Sequence, residues 1–79
     1  MVLAEVRITL KRGVADPEGK NTLKALELLG FEGVREVRSV KVFEIEFEGK
    51  AGEAEKRVDE MCRKLLANPV IQNYSITVK

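Results

Sequence analysis

The sequence predicts an α+β domain of the ferredoxin-like split β-α-β type, with a mostly antiparallel sheet, two helices on one face, and a form that dimerises. Three observations predict it. Apolar and polar residues alternate with period two in three separate stretches, the mark of strands with one buried face. Two other stretches carry apolar residues at helical spacing. These alternate in the order β-α-β(β)-α-β, so two amphipathic helices have one sheet to cover. With 79 residues, the chain forms a single domain, residues 1–79.

The first strand runs from Val2 to Leu10. Val2, Ala4, Val6, Ile8 and Leu10 point one way; Glu5, Arg7 and Thr9 point the other. Gly13 to Ala15 turn the chain. Asp16-Pro17-Glu18 then starts a helix: Asp16 can accept from free backbone N–H groups, and Pro17 suits the first helical position, where a missing N–H costs nothing. Leu23, Leu26 and Leu29, widened by Ala25 and Leu28, form its apolar stripe. Gly30 is the natural stop, in the left-handed conformation, and Phe31 folds back onto the helix end.

The second extended region, Val34 to Glu48, alternates cleanly only in its last part, with Phe43, Ile45 and Phe47 against Glu44, Glu46 and Glu48. The parity changes between Val37 and Phe43. A bulge in one bent strand accounts for this, and so does a break into two strands. Ala51 to Ala67 reads as the second helix. Ala54, Val58, Met61, Cys62, Leu65 and Leu66 form its apolar stripe, and charged residues cover the other side. Asn68-Pro69 stops it, because Pro69 disfavours helix at Asn68. The last strand runs from Val70 to Lys79, with Val70, Tyr74, Ile76 and Val78 on one face.

Composition excludes several classes. The net charge of +1 lacks the basic excess typical of nucleic-acid binding,. No aromatic stands among Glu5, Arg7 and Thr9, where RNA-recognition modules of this fold stack bases. No stretch approaches the ~20 apolar residues of a membrane span. A single cysteine, Cys62, suits a reducing compartment, so the expected location is the cytoplasm. The chain has no histidine, which removes His-based triads and histidine metal sites. Cys62 sits on an apolar helix stripe, as a core thiol does. No phosphate-binding Gly-rich loop is present. Glu44, Glu46 and Glu48 on one strand face read as solvated carboxylates. A chain this short buries only about 60–65% of its unfolded surface, so self-association, as a homodimer or a dimer of dimers, is expected.

The segment Leu10-Lys11-Arg12-Gly13-Val14-Ala15-Asp16-Pro17-Glu18-Gly19 resembles the L-K-x-G-V-x-D-P-x-G motif of the PurS family, the small subunit of phosphoribosylformylglycinamidine synthase. Ala25-Leu26 and Leu29-Gly30-Phe31 resemble the family's A-L…L-G-[FY] helix ending. Val37-Arg38 followed by Lys41 resembles its V-R-x-G-K run. Met61 to Ile71 resembles its M-C-x-K-L-L-A-N-P-V-I block, with Tyr74 following. One position departs: the family's glycine before the lysine is Val40, and a β-branched residue strongly disfavours positive φ.

The resemblance implies a non-catalytic bridge in purine biosynthesis. A glutaminase subunit releases ammonia, and a large ligase subunit uses it with ATP to make formylglycinamidine ribonucleotide. The small subunit, as a dimer, joins the two and assists ammonia transfer. No cofactor is then expected on this chain; ATP, Mg and glutamine are handled by the partner subunits. The interface candidates are Asp16, Pro17, Gly19, Arg38, Lys41, Asn68 and Pro69. Helix capping, turning and stopping also account for Asp16, Pro17, Gly19, Asn68 and Pro69, whereas Arg38 and Lys41 serve no core. A second reading is a free-standing amino-acid sensor domain, since regulatory domains of that type share the topology.

Overall fold

The computed structural model describes residues 1–79. The first strand, β1, spans Val2–Leu10 and takes the centre of a three-stranded sheet. β2 (Lys41–Phe47) and β3 (Gln72–Val78) pair with it on either side, both antiparallel. The register puts Ala4 beside Ile45 and Val78, Val6 beside Phe43 and Ile76, and Ile8 beside Lys41 and Tyr74. Directly opposed residues share a face, so the alternation read from the sequence places one apolar face and one polar face as expected.

Helix α2 (Ala51–Met61) lies on the apolar face against β1 and β3. It continues as a single π-helical turn, Cys62–Leu66, which ends as Ala67 becomes extended. Ala4, Val6, Ile8, Val58, Cys62 and Ala67 form the core, with Phe43, Ile45, Met61, Leu66, Tyr74 and Ile76 packed around it. β2 receives less cover: α2 packs on β1 and β3, and Phe43, Ile45 and Phe47 stay half-buried.

The wide turn corrects one detail of the sequence pattern. A π turn closes i→i+5 bonds, here Ala67 N–H donating to the Cys62 carbonyl at 3.0 Å. The widening shifts the side chains that follow. Leu65, expected on the buried stripe, is 83% exposed, while Ala67 is buried instead.

Two other boundaries differ from the sequence reading. Of the region Val34–Glu48, only Lys41–Phe47 is strand; residues 34–40 are irregular. The parity change therefore marks neither a bulge nor a second strand. It marks the point where an irregular segment enters the sheet. At the other end, Val70 and Ile71 belong to the turn before β3 and face solvent.

The first helix, α1 (Pro17–Leu28), begins and ends as expected. Asp16 caps it, and Gly30 adopts φ +91°. Gly30 N–H donates to Glu27 and Phe31 N–H to Leu26, which closes the last turn in a Schellman motif,. Both helices of the expected α+β fold thus form, but within one chain only α2 covers the sheet. Leu28 and Leu29 on α1 and Phe31 after it are exposed, and Gly19 is its only buried residue. The radius of gyration is 16.0 Å, against about 12 Å for a compact chain of this length. A nine-residue strand is about 30 Å long and a twelve-residue helix about 18 Å. Laid end to end they account for the 49 Å long dimension. α1 therefore extends beyond the sheet.

Candidate functional site

Five of the seven interface candidates, Asp16, Pro17, Gly19, Arg38 and Lys41, lie at the end of the sheet where β1 finishes and β2 begins, and the other two, Asn68 and Pro69, lie in the turn before β3. Asp16 organises that end. Its Oδ1 accepts from Gly19 N–H at 2.9 Å and from the Ser39 hydroxyl at 2.7 Å, and its Oδ2 accepts from Ser39 N–H at 2.8 Å. One carboxylate thus caps α1 and ties down the irregular segment that leads into β2. The Gly19 amide, then the Ser39 amide and hydroxyl, hold its pKa below the usual aspartate value,.

Pro17 occupies the first turn, as its missing N–H allows. Gly19 answers to packing as well as capping. A Cβ there would run into the Val37 carbonyl oxygen and the Asp16 carboxylate. Only glycine lets the irregular segment pass this close to α1.

Arg38 pairs with Glu36 through two bonds, Nε–Oε1 at 2.9 Å and Nη2–Oε2 at 3.0 Å. Both groups are exposed; the pairing lowers the Glu36 pKa and raises that of Arg38. Lys41 belongs to β2, and its Nζ lies 5.7 Å from the Phe43 ring centre,. Asn68 and Pro69 form a separate turn. Asn68 N–H donates to Gln72 Oε1 at 2.7 Å, and Asn68 Oδ1 accepts from Val70 N–H at 3.0 Å. That turn is joined to the sheet end by Lys11 N–H donating to Ile71 O at 2.8 Å. Asp16, Pro17, Gly19 and Arg38 are thus drawn together, Lys41 lies beside them, and Asn68 and Pro69 stand apart. Val40 has an ordinary backbone, since no non-glycine residue takes positive φ; the departure from the family glycine needs no strained geometry here.

The sequence reading missed the residues that complete this corner. Ser39 supplies two of the three bonds to Asp16. Lys11, Arg12, Lys20 and Arg35 join Arg7 and Arg38 around a cleft of about 880 Å³ in the elbow between β1, α1 and residues 35–40. Only Lys11 and Arg12 are adjacent in sequence; folding brings the others to them.

Elsewhere, Tyr74 donates its hydroxyl to Asp59 Oδ1 at 2.6 Å, and Asp59 also pairs with Arg63 at 3.0 Å. The bond to Asp59 raises the Tyr74 pKa. Cys62 is buried as expected; burial first, then the nearby Asp59 charge, pushes its thiol pKa up. A protonated, enclosed thiol is a poor nucleophile. No helix is long and apolar enough to cross a membrane.

Comparison with known proteins places this arrangement. The PurS family model, described as phosphoribosylformylglycinamidine (FGAM) synthase, matches residues 3–79. The chain is similar to the synthase subunit PurS of Archaeoglobus fulgidus, with 62% identity over 76 residues, 95% of each chain. A crystal structure of PurS from Methanocaldococcus jannaschii, described as one of the subunits of formylglycinamide ribonucleotide amidotransferase in the purine biosynthetic pathway, superposes with a TM-score of 0.92. Identity there is 47%, covering 100% of this chain and 96% of that one. Bacillus subtilis PurS superposes with a TM-score of 0.89 at 37% identity, covering 100% and 99%. The chain belongs to the PurS family of phosphoribosylformylglycinamidine synthase subunits.

Proposed function

We propose that this chain is the non-catalytic bridging subunit of its synthase, linking a glutaminase subunit to an ATP-dependent ligase subunit and assisting the passage of ammonia between them. The observation that carries this reading is a match to a synthase-subunit family along nearly the whole chain, residues 3–79, in a molecule whose one thiol is buried and which has no histidine. Such a chain is suited to hold other active sites in register. ATP, Mg and glutamine are handled by the partners, and the compartment is the cytoplasm, consistent with a single unpaired cysteine,.

The working form is a homodimer or a dimer of dimers. Leu28, Leu29 and Phe31 are 81%, 74% and 57% exposed, and an isolated helix of twelve residues is marginal in water,. A second copy covering α1 and the half-buried face of β2 satisfies both. The interface candidates remain Asp16, Pro17, Gly19, Arg38, Lys41, Asn68 and Pro69, with Asp16 and Gly19 acting through the segment they hold in place. No observation favours an amino-acid sensor.

The test is glutamine-dependent synthesis with the glutaminase and ligase subunits of the same organism, with and without this chain. Omission should abolish most of the glutamine-dependent rate and spare most of the rate with ammonium supplied directly. An unchanged glutamine-dependent rate on omission would sink the proposal.

A further inference from the structure

We infer that the cleft in the elbow between β1, α1 and residues 35–40 is the docking surface for an acidic patch on another subunit of the synthase. The inference rests on the bridging reading and deepens it by naming a surface and its charge.

The chain as a whole is nearly neutral, yet its charge is unevenly placed. Six cations, Arg7, Lys11, Arg12, Lys20, Arg35 and Arg38, line this cleft with two carboxylates, Asp16 and Glu36. That leaves eight cations and eleven carboxylates for the rest of the molecule. The cleft is therefore strongly basic on a body that is net acidic.

The two carboxylates offset only part of the excess: six cations against two carboxylates leave a net charge of +4 around the cleft. Asp16 is committed to Gly19 and Ser39, and Glu36 to Arg38. The only other ion pairs, Arg63–Asp59, Lys64–Glu60 and Lys79–Glu5, lie outside the cleft. Arg7, Lys11, Arg12, Lys20 and Arg35 have no acidic partner within the chain. Like charges this concentrated repel one another and raise the potential of the cleft. An anionic counterpart relieves that repulsion.

The side chains also indicate what kind of anion. Five of the six are exposed and Lys11 is only half-buried. A small phosphate ligand calls for convergent, preorganised donors; solvated cations around an open cleft instead steer and register a protein surface. No aromatic lines the cleft for stacking bases,. A second copy of this chain is the poorer fit: it is itself net +1 and brings a second basic cleft with it, whereas a different, acidic subunit supplies counter-charge without adding like charge.

The experiment uses the full chain with its own glutaminase and ligase subunits. Association rates are measured by stopped flow for wild type, for Arg12→Glu with Arg35→Glu, and for Lys56→Glu with Arg57→Glu. The last pair carries the same charge change on the exposed side of α2. The cleft variant should associate at least about tenfold more slowly at ~0.01 M salt, where charges act over about 30 Å. The difference should shrink towards ~1 M salt. The α2 variant should follow wild type, and all three should keep the same melting temperature and oligomeric state. Equal association of the cleft variant and wild type would overturn the inference while leaving the bridging function intact, provided wild type is still needed for glutamine-dependent synthesis. If wild type is not needed, both fall. A change of oligomeric state in the cleft variant would assign the cleft to a second copy. Stronger inhibition of docking by sodium phosphate than by sodium chloride at equal ionic strength would assign it to a small anion. Retention of a single-stranded oligonucleotide by wild type but not by the cleft variant would assign it to nucleic acid. Each of these three outcomes overturns the docking proposal.

Discussion

The two helices of this chain are written in similar terms and meet different fates. α2 and the wide turn that continues it carry Ala54, Val58 and Cys62 on one side and bury all three, Val58 and Cys62 in one cluster with Ala4, Val6 and Ile8 of β1. α1 carries Leu23, Leu26, Leu28 and Leu29, a larger apolar payload, and buries none of them fully. Small residues let α2 sit close to the sheet, whereas α1 meets its own chain only near its start, where residues 37–39 pass Gly19, and leaves Leu28 and Leu29 uncovered. An apolar stripe therefore shows that a helix will be covered, and does not show by which chain.

Substitutions can break or sharpen that contrast. The largest effect belongs to the closed half. Ile8 is 3% exposed at the centre of the sheet, and Ile8→Ala should cost about 2–5 kcal/mol in urea melts. A loss below ~1 kcal/mol would mean that the core is looser than its packing implies.

Next comes the junction between the halves. An alanine in a helix normally gains about 1 kcal/mol over glycine. Gly19→Ala should instead cost about 1–3 kcal/mol, because the Val37 carbonyl must move,. Faster amide exchange at Ser39 should accompany the loss. A gain in stability would show that residues 37–39 yield freely.

The Asp16 latch should show in the pH dependence of stability. Its carboxylate is held below the ordinary aspartate value in the folded chain. Its contribution is therefore complete above about pH 4 and is lost as pH falls through the lowered value, where the unfolded chain binds the extra proton. Asp16→Asn should lose stability at neutral pH, and the gap from wild type should close on acidification. A constant gap down to the acid limit would remove the charge from the explanation.

The smallest effect tests the far end of α2. Leu65 belongs to the sequence stripe but is 83% exposed. Leu65→Ala should change stability by less than about 0.5 kcal/mol when melted at concentrations low enough to exclude association. A core-sized loss would place Leu65 back on the buried face.

These cases separate what one sequence discloses from what it leaves open. Strand faces were legible residue by residue, because alternation is local and Val6 opposes Phe43 and Ile76 as the pattern requires. Helix ends were legible where their chemistry is local: Asp16 and Gly30 carry their own signals. The destination of α1 was not legible, since exposure of Leu28 depends on where residues 29–40 send the chain. Nor was the link from Asp16 to Ser39, which spans 23 positions. The basic cleft was hidden for the same reason: Arg7, Lys20 and Arg35 become neighbours only after folding. The rotation of Leu65 was lost because the stripe was counted at 3.6 residues per turn through a segment that does not keep that pitch.

That change of pitch acts as a phase adjuster. Each α-helical residue turns the side-chain direction by about 100°. The i→i+5 bond from Ala67 to Cys62 takes up one residue more than the i→i+4 ladder would. Val58 and Cys62 on one side of the wide turn, and Ala67 on the other, can then all reach the same core. Removing one residue between Arg63 and Leu65 would restore a regular helix without displacing Val58 or Cys62. Adding or removing two would carry Ala67 and the turn at Asn68 out of phase with β3. The wide turn thus gives this corner a tolerance of one residue in length, in one direction only.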